Sequence, residues 1–121
     1  MNVLKTVGIA GALLAAPMVA LAQGKQDFTL TNGTGYDINE VYVAPSKSKS
    51  WEEDVLGWDV LSNGDAVEIT FPKKVSVCMY DLKVVYSDGT EAEWAGFNLC
   101  EVSEITIRYN RKTDETWADY N

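Results

Sequence analysis

The chain has 121 residues, with 10 basic and 18 acidic side chains, no histidine and a formal net charge of −8. So acidic a chain repels nucleic acid and anionic lipid, and admits basic partners or cations. Without histidine, the commonest general base, the Ser–His and Cys–His nucleophile pairs and the commonest metal ligand are all excluded.

The N-terminus reads as a leader. Residues 1–5 carry one positive charge, residues 7–22 are apolar, and Ala20-Leu21-Ala22 puts small residues where a signal peptidase inspects them. The apolar run is shorter than the ~20 residues that span a bilayer, and Pro17 favours cleavage over anchoring. The sequence predicts a signal peptide over residues 1–22 and one exported domain over residues 23–121, periplasmic or secreted, with no stable membrane insertion after cleavage. No Arg-Arg pair supports twin-arginine export. Losing Lys5 with the leader takes the charge to −9.

Beyond the leader, apolar residues alternate with polar ones. Phe28 and Leu30 begin the pattern, and Val41 and Val43 continue it. Val67, Ile69 and Phe71 follow, then a long run with Cys78, Tyr80, Leu82, Val84 and Tyr86 on one face, then Ile105, Ile107 and Tyr109. Period-2 alternation marks half-buried antiparallel strands. Turn residues fall between the runs: Asn32-Gly33-Thr34-Gly35, Asn63-Gly64-Asp65, Pro72-Lys73-Lys74 and Ser87-Asp88-Gly89-Thr90. Residues 91–94 and 116–118 supply further short strands. Six or seven strands and no long helical pattern predict an all-β domain, a small antiparallel β-sandwich, with an open barrel as the alternative.

Residues 50–65, SWEEDVLGWDVLSNGD, do not alternate. Trp51, Val55 and Trp58 are spaced as one face of a short helix. Ser50 and Glu53 match a capping box, residues 52–54 put acids in the first turn, and Gly57 supplies a stop. The spacing predicts a helical turn near residues 51–56, with Trp51 and Trp58 anchoring it to the core. A second reading of the same tryptophans is a partner-binding surface.

Cys78 and Cys100 are the two cysteines. An even pair in a small exported domain predicts a disulfide. Closing a loop of about 22 residues is worth about 3 kcal/mol in the chain-entropy model. Two cysteines without histidine do not complete the usual zinc site.

No residue names a reaction. There is no Gly-rich phosphate loop and no Gly-x-Ser-x-Gly elbow. The acids of residues 50–65 raise the question of calcium, which extracellular β-domains hold through loop carboxylates. The helical reading accounts for Glu52, Glu53 and Asp54 without an ion, and leaves Asp59 unexplained.

The segments FTL, NGTGY, YVAP, WEEDVLGWDVL, CMYDLKV and WAGFNLC, lying between Phe28 and Cys100, together resemble a group of small, uncharacterised exported bacterial proteins. The resemblance covers nearly all of the exported domain as far as Ile107. It implies a secreted or periplasmic β-rich domain with paired cysteines, and no settled activity. The shared pattern holds Asp54, Leu56, Gly57, Asp59 and Leu61 but not Glu52 or Glu53. It therefore narrows any metal site to Asp54 and Asp59, with Asp81 or Asp88 as helpers.

The sequence thus leads to a non-enzymatic exported binding or accessory protein of the bacterial cell envelope, engaging a protein or glycan through loops at one end. Its rivals are a calcium-stabilised domain using Asp54 and Asp59, an immunity protein against a secreted toxin, and a small hydrolase built on Asp54, Asp59 and Asp81.

Overall fold

The computed structural model describes the backbone of residues 2–6 and the whole of residues 24–121. Eight strands follow in order: β1 (Asn2–Thr6), β2 (Phe28–Gly33), β3 (Ile38–Pro45), β4 (Ala66–Thr70), β5 (Met79–Tyr86), β6 (Glu91–Asn98), β7 (Glu104–Asn110) and β8 (Glu115–Tyr120). One sheet has the order β1-β4-β2-β7-β8 and the other β3-β5-β6. The expected all-β sandwich is the fold. Apart from β1, which pairs antiparallel with β4 (Asn2 opposite Thr70, Thr6 opposite Ala66), the expected leader lies outside the described residues.

The alternation determines which face is buried. In β5, Tyr80, Leu82, Val84 and Tyr86 are buried while the residues between them are half-exposed. Leu30, Val67, Ile69, Ile105 and Ile107 cover the inner face of the first sheet, and Val41, Val43, Leu82, Val84 and Trp94 that of the second. Each such side chain stabilises the sandwich by about 1.5–3 kcal/mol. A one-residue slip in any strand would turn this set outward, so register is tightly specified. The pairing is antiparallel except between β2 and β7, which run parallel with Leu30 opposite Ile105. Periodicity alone carries no information about that exception, because the alternation is the same for both directions.

The disulfide joins Cys78 to Cys100, with Cα atoms 5.2 Å apart. It closes the open end of the β5–β6 hairpin, where Leu99 N–H also donates to Cys78 C=O at 2.8 Å. At the same end Gln26 is fully buried and its Nε2 donates to the carbonyls of Val75 and Val77, both at 2.9 Å. These bonds tie the start of the domain to the β4–β5 connection.

The helical turn expected near residues 51–56 does not form. Residues 51–54 are irregular, a bend and a turn follow over residues 55–58, and Glu52 has φ of 61°. Ser50 Oγ accepts the N–H of Glu52, two residues on, rather than capping a helix. The segment does something else: it runs beside the outer edge of β3. Val55 N–H donates to Val41 C=O at 2.8 Å, and Leu61 exchanges both backbone hydrogen bonds with Ile38. A bare edge strand invites unwanted pairing, and here an irregular segment covers it. Val55, Leu56 and Leu61 enter the core from this cover, which explains their apolar character better than a helix face does.

Candidate functional site: a tyrosine-lined cleft

The residues singled out in the sequence divide into structural and exposed groups. Asp54 is structural. Its Oδ1 accepts the N–H of Val41 at 2.8 Å and that of Leu56 at 3.0 Å, so the carboxylate stands in for a strand carbonyl along the β3 edge. Asp81 is structural in the same way. Its Oδ1 accepts Gly96 N–H at 2.9 Å and the hydroxyl of Ser46 at 2.7 Å, pinning the irregular pairing of β5 with β6. Asp59 is exposed, and its N–H donates to Leu56 C=O at 3.1 Å; nothing in the structure explains its carboxylate. Among the described residues no group of three or more His, Cys, Asp or Glu side chains is placed to hold a metal ion.

The two tryptophans part company. Trp51 is half-buried on the outer face of the second sheet, its ring 5.6 Å from Lys83 Nζ, which also sits 4.9 Å from the Tyr42 ring. Trp58 follows Gly57, whose φ of 63° suits glycine, and is 101% exposed. Neither is a core anchor, so that expectation is corrected: the aliphatic residues between them do the anchoring. Trp94 is buried, with Nε1 donating to Trp117 C=O at 2.8 Å across the β6 and β8 edges.

A concavity lies elsewhere, at the end of the sandwich opposite the disulfide. Here the β2–β3, β5–β6 and β7–β8 turns surround a cleft of about 830 Å³. Three tyrosines form its apolar wall. Tyr36 lies 6.2 Å from Tyr86 and 6.0 Å from Tyr109 between ring centroids, and Tyr86 lies 6.4 Å from Tyr109. Interplanar angles of 74° and 61° at Tyr36 are edge-to-face arrangements, the preferred geometry for aromatic rings.

Each tyrosine is placed by its turn. Asn32, fully buried, organises the first: its Nδ2 donates to Tyr36 C=O at 2.7 Å and Leu61 C=O at 2.9 Å, and its Oδ1 accepts Thr34 N–H at 3.0 Å and Thr34 Oγ1 at 2.7 Å. Gly35, with φ of 92°, makes the reversal that brings Tyr36 over the cleft, and its N–H donates to Asn63 Oδ1 at 2.8 Å. The second turn is fastened by Asp88, whose Oδ1 accepts both the N–H (3.0 Å) and the hydroxyl (2.7 Å) of Thr90. Those bonds hold the Asp88 carboxyl below its ordinary pKa. In the third, Tyr109 donates its hydroxyl to Asp114 Oδ1 at 2.9 Å. That bond raises the Tyr109 phenol above its usual value, with desolvation and the Asp114 charge adding.

Tyr86 is the buried member. Burial raises its phenol, and Thr34 partly offsets the effect. Thr34 Oγ1, beside the Tyr86 hydroxyl, spends its own proton on Asn32 Oδ1 at 2.7 Å and keeps its lone pairs to accept.

The polar rim is strongly one-sided. Asp37, Asp88, Glu91, Glu93 and Asp114 line the cleft against one cation, Arg111. Aromatic rings under an acidic rim suit a partly apolar, positively charged guest. The sequence reading missed this cleft. Its only linear signal is a tyrosine flanking each of three turns, and the topology was needed to show that those turns meet.

Comparison with protein-family models, curated proteins and solved structures returned no match.

Proposed function

We propose that the protein is a non-enzymatic exported binding or accessory module of the bacterial cell envelope, and that it engages its ligand with the loops around the tyrosine-lined cleft. The observation that carries this reading is the placement of a large aromatic cleft at a loop end, on a sandwich stapled at the other end. Rigid sheets presenting loops are a common way to build a binding site. Export is supported by the Cys78–Cys100 bond, since such bonds persist in oxidising compartments. No helix of the described residues is long and apolar enough to cross a membrane, which is compatible with a periplasmic or extracellular chain.

The test is a parallel capture from envelope extract with the immobilised protein and two variants, Tyr109→Ala at the cleft and Trp58→Ala on the exposed loop. A ligand retained by the parent and the Trp58 variant but lost with Tyr109→Ala supports the reading. A ligand lost only with Trp58→Ala moves the binding surface to the β3-edge loop and refutes it.

A further inference from the structure

The cleft also specifies the chemistry of its guest. Five carboxylates and one guanidinium give its lining a formal net charge of −4, with Asp37, Asp88 and Asp114 on the turns and Glu91 and Glu93 on β6, Glu91 lying 4.0 Å from the Lys83 ammonium. Lining a concavity with one sign of charge focuses the field there and favours the opposite charge. Charge alone would attract any cation. The three tyrosines add a requirement for a soft, partly desolvated one.

Rings that meet edge to face cannot cover each other completely, and Tyr36 remains 40% exposed. The exposed ring surface attracts guanidinium and alkylammonium groups better than small hydrated metal ions. The wall also contains the buried Tyr86.

We infer that the cleft binds the guanidinium or ammonium group of a basic side chain, presented by a polypeptide partner, between the tyrosine wall and the carboxylates of Asp88, Glu91 and Asp114. The polypeptide source is favoured by shape: the cleft is open and ringed by turns, so a side chain can enter while its backbone stays outside. This inference rests on the proposed binding role of the cleft and adds the class of ligand.

The test is an NMR titration of the ¹⁵N-labelled protein, purified from the envelope fraction, with acetyl-Gly-Arg-Gly-amide. Its citrulline analogue, which keeps the shape and loses the charge, and a neutral oligosaccharide serve as comparators. The Arg peptide is expected to shift the amide signals of Gly35, Gly89 and Thr116. Citrulline should bind about tenfold more weakly, and raised salt should weaken the Arg peptide severalfold. The double variant Asp88→Asn/Asp114→Asn retains acceptor oxygens for Thr90 and Tyr109, so the turns persist. It should bind the Arg peptide about tenfold more weakly. Tyr36→Leu, at an exposed position, should do likewise.

Equal binding of the Arg and citrulline peptides would overturn the inference, as would shifts confined to the Trp58 loop. Binding of the oligosaccharide alone would overturn it too, while leaving the cleft as a glycan site. Absence of any response to the Arg peptide at several millimolar would sink the cation assignment; the capture experiment above decides separately whether the cleft binds at all.

Discussion

Asn32 and Asp54 show how single polar side chains hold irregular backbone in place. Asn32 uses both amide protons and its oxygen on buried groups of the β2–β3 turn and the edge-covering segment. Asn32→Ala would leave these partners unpaired. It is expected to cost about 2–4 kcal/mol, read as a lower urea midpoint. Asp54→Ala removes the acceptor of two N–H groups and should cost about 1–2 kcal/mol, whereas Asp54→Asn, which keeps an acceptor oxygen, should cost less. A large loss in Asp54→Asn, or a calcium-dependent rise in melting temperature of the parent protein, would show that the charge matters for a cation instead. Trp58→Ala, at a fully exposed position, should change stability by no more than about 0.5 kcal/mol. The residue scale was partly legible in the sequence. Asp54 and Gly57 stood out as meaningful, but the backbone partner of Asp54 lies 13 residues away on β3, a contact that spacing does not reveal.

Strands were legible because burial on one face leaves a period-2 trace, as in Tyr80, Leu82, Val84 and Tyr86. Residues 50–61 were misread because Trp51, Val55 and Trp58 imitate helical spacing while Val55, Leu56 and Leu61 actually serve the core from an irregular edge cover. Local charge and capping signals agreed with a helix, and tertiary pairing with β3 overrode them. The outer face of the second sheet has its own titration signature. Tyr42 hydrogen-bonds Glu40, which together with burial and neighbouring acids pushes its phenol up to about 12. Tyr80, Tyr86 and Tyr109 are also raised above 10.0. The unfolded chain therefore loses these protons first, so the folded state binds more protons above pH 10. Their contribution to stability is complete below that pH and declines as the pH climbs through the folded values. Ultraviolet titration should show tyrosine ionisation displaced upward in the native protein and returning to the ordinary range in urea.

At the scale of the whole molecule, the sandwich separates its fastenings from the proposed recognition surface. The disulfide, Gln26 and the β4–β5 connection lie at one end; the three turns and their tyrosines lie at the other. Replacing both cysteines by alanine should lower stability by about 3 kcal/mol while leaving ligand affinity at the cleft unchanged, measured below the melting transition. An all-β fold and a cysteine pair could be inferred from pattern and compartment, but the cleft could not. Its tyrosines sit at positions 36, 86 and 109; the parallel β2–β7 pairing brings Tyr109 to the pole of the β2–β3 turn, and the antiparallel β3–β5 pairing, with Ile38 opposite Tyr86, brings Tyr86 there. The central claim, that this pole is the recognition surface, is tested most directly by photo-crosslinking in intact cells. Benzoylphenylalanine would be placed singly at Tyr36, Trp58 and Lys73, all exposed positions. A discrete adduct is expected from position 36 and none from position 73 at the fastened end; adducts from 58 or 73 with none from 36 would contradict the claim.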